Sequence, residues 1–213
     1  MIVAIGREIG AGGREVGERV AALLGAELLD TQIIDLVATR IGAPAAYVEA
    51  HDEHVEGFVD RLFRVITAAY PEAYAAEGLP DWSEERLVAL TAGIIQERAR
   101  TKSLVAIGRG APVLLKNRPD ALGAFVTAPF DVRVRRMRSR RGCSAEEAIR
   151  EIRKSDQHRA AYMQQYYSVN WRDPSLYDII VNTERLTSEA AAALIVSCGK
   201  HIETAGAPVP TGT

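Results

Sequence analysis

The stretch Gly6-Arg7-Glu8-Ile9-Gly10-Ala11-Gly12-Gly13-Arg14-Glu15 gathers glycines and charges where they could hold phosphate. The apolar run Ile2-Val3-Ala4-Ile5 precedes it, and Val16, Val20, Leu23 and Leu24 follow on one helical face. The order is strand, glycine-rich turn, helix. Such a turn offers unpaired backbone N–H groups and the positive end of a helix dipole, and phosphate is its usual occupant. The match to the phosphate loop G-x-x-x-x-G-K-[ST] is incomplete. Gly6 and Gly12 are one residue too far apart, Gly13 stands at the lysine, and Glu15 stands near the hydroxyl. Arg14 is the nearest following cation, with a fork that suits phosphate oxygens. G-x-G-x-x-G is not met either. A plain tight turn that needs glycine's backbone freedom is the competing reading.

Arginines supply the second chemical signal. Ten of the 26 Lys and Arg residues fall between Arg133 and Arg159. Arg133, Arg136 and Arg140 recur at helical spacing, and Arg150, Arg153, Asp156 and Arg159 step by three. A basic zone beside a phosphate turn points to a small polyanionic ligand; a solvated helix face is the alternative. Asp30 and Arg109 each follow a short apolar run. Strand ends of this kind are where parallel sheets bind ligands, although Asp30 has a second reading as a helix cap. His51 and His54 sit among acids and read as solvent-facing rather than metal-binding. Cys143 and Cys198 form neither a metal spacing nor a disulfide framework.

These residues need a scaffold, and the pattern predicts one. Strands are expected at 2–5, 27–29, 103–107, 124–127 and 177–182. Helices are expected from Arg14 to Leu24, stopping at Gly25, and from Gln32 to Arg40. Others are expected from Ser83 to Arg100, from Asp131, after the capping box Ser144-Ala145-Glu146-Glu147, and from Ser188 to Ile202. Strand, helix, strand within the opening residues is a βαβ unit, which implies a parallel sheet with a right-handed crossover. Residues 43–85 break this rhythm and read as a mostly helical, acidic insertion. The tail from Ala205 is expected to be disordered.

The bulk numbers fit a globular α/β protein: 213 residues, 47 % hydrophobic, 25 % charged, net charge −2. No whole-chain field argues for nucleic acid. No apolar run is long enough to span a bilayer, and the N-terminus does not read as a signal peptide. A reduced, cytoplasmic setting is expected.

Several segments together resemble the cytidylate kinase-like family, within the P-loop nucleoside monophosphate kinases. They are GREIGAGGREVGERVA at the start, LLD at 28–30, IGRGA at 107–111 and TAPFDVRVRRM at 127–137. IRKSDQHRAAYMQQYY at 152–167 and YDIIVNT at 177–183 complete the set. The resemblance implies a three-layer α/β P-loop NTPase fold, a single domain over 1–204 with a five-stranded parallel sheet. A helical acceptor-binding insertion would span about 31–100 and an arginine-bearing helical lid about 138–172, with a disordered tail at 205–213. ATP and Mg²⁺ are implied as cofactors, and small nucleotides as substrates, without nucleic acid or membrane. By the same resemblance, Gly10, Gly12, Gly13 and Arg14 line the donor phosphates, with Ala11 and Glu15 in the same turn. Glu15 stands where the family carries a hydroxyl, and a carboxylate there could hold Mg²⁺ directly or cap the helix dipole. Arg14, Arg133, Arg153 and Arg159 are the implied catalytic cations. Asp30 and Arg109 lie near the acceptor, and Asp156 orients the lid arginines.

The chain departs from that pattern at three places. The loop lysine is missing, Glu15 replaces the loop hydroxyl, and Gly110 replaces an aspartate after Arg109. Three readings follow: a kinase for CMP, dCMP or a similar acceptor; a catalytically reduced nucleotide-binding regulator; and a P-loop kinase with a non-nucleotide acceptor.

Overall fold

Five short apolar runs become strands: β1 (Ile2–Arg7), β2 (Glu27–Leu29), β3 (Leu104–Ile107), β4 (Ala121–Thr127) and β5 (Ile179–Asn182). The computed structural model describes residues 1–40 and 84–205. Among the described residues all strand pairs are parallel, in the order β2-β3-β1-β4-β5, so β1 is central. The helices among the described residues are α1 (Gly13–Leu24), α2 (Gln32–Arg40), α3 (Glu84–Thr101) and α4 (Ala111–Leu114). Then come α5 (Phe130–Arg141), α6 (Ala145–Tyr167) and α7 (Ser188–Ala205), with a 3₁₀ turn at Pro174–Leu176.

Alternation along β1 explains the three layers. Ile2 and Ala4 face one core with Ile33 and Val37 of α2 and Leu87 and Ile95 of α3. Val3 and Ile5 face the other, with Val16 and Val20 of α1 and Ala191 and Ile195 of α7. A strand covered on both faces must be apolar throughout, and Ile2 to Ile5 are all at most 1 % exposed. Helix α1 lies very close to the sheet. A Cβ on Gly17 would stand 2.4 Å from Cδ1 of Ile107, so a larger residue there would have to displace the Ile107 side chain in the core.

The helix ends follow the sequence signals. Gly25 caps α1 in the left-handed conformation, φ 57°, and its N–H reaches back to the carbonyls of Ala21 and Ala22. Ser144 and Glu147 form the expected reciprocal box: Ser144 Oγ accepts from the Glu147 N–H at 3.2 Å, and the Glu147 carboxylate accepts from the Ser144 N–H at 2.8 Å.

Some expectations change. β3 inserts between β1 and β2, so the opening βαβ unit does not pair its own two strands. β4 starts at Ala121 rather than 124, because Ala121, Leu122 and Gly123 pair with Ile2, Val3 and Ala4 of β1 and Leu122 is a core residue. β5 starts at Ile179 rather than 177, because the Tyr177 N–H is taken by the Pro174 carbonyl at 3.1 Å, closing the preceding 3₁₀ turn. α7 runs past Ile202 to Ala205. The expected insertion up to residue 83, with His51 and His54, and the tail beyond 205 lie outside the described residues. No helix among the described residues is long and apolar enough to cross a membrane.

Candidate phosphate-binding site

The turn after β1 winds tightly into α1. Gly10 and Gly12 are both left-handed, φ 80° and 76°. The Ala11 N–H donates to the Glu8 carbonyl at 3.2 Å, and the Val16 N–H takes the Gly12 carbonyl at 3.0 Å as the first helical bond. Gly10 must also be small, since a Cβ there would meet the Arg133 carbonyl at 2.9 Å. The first turn of α1 presents N–H groups that have no intrahelical acceptor.

A cleft of about 370 Å³ opens beside this turn. Gly10 to Gly12 and Glu15 form one wall, Arg136 and Arg140 of α5 a second, and residues 183–188 after β5 a third. An ion pair between Glu15 and Arg140 spans it. Arg136 clamps Thr183, donating to its hydroxyl at 3.0 Å and its carbonyl at 2.6 Å. The Thr183 hydroxyl, itself buried, donates to the Ala11 carbonyl at 2.7 Å. Thus α5, the end of β5 and the glycine turn are tied into one rim.

A charge cluster sits next to the rim at the carboxyl end of β1. Glu8 is buried and accepts from Arg172 Nε at 3.0 Å and Nη2 at 2.7 Å, and from the Thr127 hydroxyl at 2.6 Å. Asp156 on α6 accepts from Arg133 at 3.2 and 2.8 Å and from Arg172 at 2.8 Å. Arg159 lies 3.9 Å from Asp156 and 5.9 Å from the Trp171 ring centre. Its Nη1 is buried and, among the described residues, has no hydrogen-bond partner. Burial first, and the neighbouring charge of Arg7 second, pull the Arg159 guanidinium down to about 10. Among the described residues the guanidiniums of this cluster thus outnumber the carboxylates that hold them, which favours an added anion.

A second group faces α2. The Asp30 carboxylate, 2 % exposed, accepts from Arg7 Nη2 at 3.1 Å and lies 3.6 Å from Arg14 Nε. Arg14 Nε also lies 3.3 Å from Glu18. Gly108, Arg109 and Gly110 are left-handed in succession, φ 74°, 56° and 74°. The Tyr167 ring covers Gly110 so closely that a Cβ there would meet it at 2.3 Å, and its hydroxyl donates to the Arg109 carbonyl at 3.3 Å.

The residues singled out in sequence therefore divide. Gly10, Ala11, Gly12 and Glu15 line the cleft. Arg133, Asp156 and Arg159 come together beside it. Arg14 joins Asp30 on the α2 side and is absent from the cleft lining, where the cations are Arg136 and Arg140. Gly13 lies under the stem of Arg7. Arg153 is exposed, 6.0 Å from the Phe130 ring centre. Glu8, Arg172 and Thr183 are additions: a lone acid between a strand and a glycine turn was the available signal for Glu8. Among the described residues no three His, Cys, Asp or Glu side chains group as metal ligands.

A sequence model described as "Cytidylate kinase-like family" matches residues 2–185. A cytidylate kinase of Pyrococcus horikoshii is 32% identical over 111 residues, 52% of this chain and 56% of its own length. One from Sulfolobus acidocaldarius is 37% identical over 76 residues, 35% of this chain and 41% of its own length. The chain thus spans about half the length of the curated relatives it matches. The crystal structure of an uncharacterized protein from Eubacterium ventriosum superposes with a TM-score of 0.68 at 22% identity, covering 96% of this chain and 99% of that one. At that identity it speaks for the fold alone.

Proposed function

The chain belongs to the cytidylate kinase-like family, and from that premise we propose a phosphotransferase that moves the γ-phosphoryl group of ATP to CMP, dCMP or a similar acceptor. The observation that carries the reading is the arginine group Arg133, Arg159 and Arg172, held on Glu8 and Asp156 beside a glycine turn that opens a helix. Phosphoryl transfer asks the protein mainly for in-line positioning and positive charge on the equatorial oxygens.

The residues present fit a polyphosphate. Glycine backbone and the first turn of α1 would cradle the donor phosphates, and Arg136 and Arg140 border the same cleft. Mg²⁺ bound with ATP would supply positive charge that offsets the donor phosphates. Glu15 is the carboxylate at hand for it, by parting from Arg140. A hydrated Mg²⁺ needs only one or two such ligands. Arg133 and Arg159 would orient the transferring group while Asp156 fixes their planes. Asp30, Arg14 and Arg109, across the sheet end, would meet the acceptor. A cytoplasmic location is part of the same reading.

A second reading has its own observation. Tyr167 fills the space over Gly110, where the resemblance implies an aspartate after the acceptor-side Arg109. That favours an acceptor other than a cytidine nucleotide.

ADP production from MgATP against CMP, dCMP, UMP, AMP and GMP, with a blank lacking acceptor, tests both. A rate with CMP or dCMP above the blank is expected. A flat panel with ATP binding retained overturns the nucleotide acceptor, and no ATP binding overturns the phosphotransferase.

A further inference from the structure

Laid on Gly12 as its second glycine, the loop G-x-x-x-x-G-K puts its first glycine at position 7 and its lysine at position 13. This chain carries Arg7 and Gly13 there. The two positions meet in space. A Cβ on Gly13 would stand 2.6 Å from Cβ of Arg7, 3.1 Å from its Cδ and 3.4 Å from its Cγ. The stem of Arg7 therefore lies across the surface from which a lysine side chain would start. Its guanidinium continues over the carboxyl ends of β2 and β3: Nη2 reaches Asp30 at 3.1 Å, and Nη1 would be 2.9 Å from a Cβ on Gly108. The side chain is 22% exposed, and it is close enough to Arg159 to depress that group's proton affinity.

We propose that Arg7 is the phosphate-binding cation of this loop, with the charge moved from the loop's last position to its first. Gly13 is the space that the exchange requires. Arg7 holds Asp30 until donor phosphates arrive, then shares its guanidinium with their terminal oxygens, opposite Arg159. Lysine reaches phosphate as a point charge; Arg7 would bind it through two parallel N–H donors. The proposal rests on the phosphate-donor reading above.

Binding of tripolyphosphate and of MgATP, measured by titration calorimetry, tests it without reference to turnover. Arg7→Gln should weaken both by roughly 10- to 100-fold, the range for losing a charge-assisted pair. Arg7→Gln with Asp30→Asn should weaken them as much while leaving no buried carboxylate short of a partner, which guards against simple misfolding. Gly13→Lys alone should also bind poorly, since its stem collides with Arg7. Arg7→Gly with Gly13→Lys restores the standard order and should return affinity to within about fivefold of wild type. Wild-type affinity in folded Arg7→Gln, or in the Arg7→Gln and Asp30→Asn double variant, overturns Arg7 as the phosphate ligand and leaves the kinase reading standing. A wild-type protein that binds neither ligand overturns both.

Discussion

Arg133 and Asp156 form a two-pronged pair between α5 and α6, at 3.2 and 2.8 Å, with the Arg133 side chain only 3% exposed. Asp156→Asn keeps the shape and removes the charge, leaving Arg133 with Glu8 at 3.7 Å. We expect a loss of about 3 kcal/mol in urea unfolding, the range for breaking a buried pair. A loss below about 0.5 kcal/mol would mean that the pair does not hold α6 in place.

Thr183 joins the glycine turn to α5, and its hydroxyl is the joint. Thr183→Val keeps the volume but strands the Ala11 carbonyl and removes one Arg136 bond. The expected cost is about 1–3 kcal/mol, read as a lower urea midpoint with an unchanged slope.

Arg14 and Arg7 share Asp30 but should differ in effect. Arg14→Ala should leave MgATP affinity within about threefold of wild type and act instead on the acceptor's KM. A loss of ATP affinity as large as that of Arg7→Gln would return Arg14 to the donor phosphates.

Gly110→Asp places a side chain against the Tyr167 ring and forces a left-handed backbone on a non-glycine residue. The combined cost should be about 2–4 kcal/mol. Pairing it with Tyr167→Ala should recover the overpacking part. An additive double variant would show that ring and glycine are not coupled.

Glu189 at the start of α7 is held by its own backbone N–H and by Arg19 of α1, whose Nε donates at 2.7 Å. These bonds lower its carboxyl from 4.5 to about 2. A depressed carboxylate contributes stability above its unfolded value and loses it as pH falls through the folded one. Glu189→Gln should therefore melt slightly below wild type at pH 7, with the gap closing between pH 4.5 and 2. A gap that persists at pH 2 would assign the effect to something other than this charge.

Local signals carried most of the architecture. Apolar runs, Gly25 and the Ser144–Glu147 box act over a few residues, so pattern alone locates the elements they bound. Strand order is different. Nothing near β1 or β2 announces that β3 will lie between them, because that depends on burying both faces of the sheet. The same limit explains the site. Glu8 and Arg172 lie 164 positions apart and meet only once β1 and the segment after α6 are packed. Arg14 was legible as a cation beside glycines, but its direction was not: a helical side chain leans toward the turn before it, and Asp30 was waiting there. The exchange between positions 7 and 13 was written in the sequence, yet a frame fixed on Gly6 hides it.

The contact at Gly17 has a practical use. With Ile107 pressed against its backbone, α1 has no room to settle inward, and glycine leaves no side chain to act as a spring. A spectroscopic label on the outer face of α1 and another on β3 would keep one separation whatever the cleft holds. Labels from α1 to α6 would report any closure. The first pair is a built-in ruler against which the second can be read.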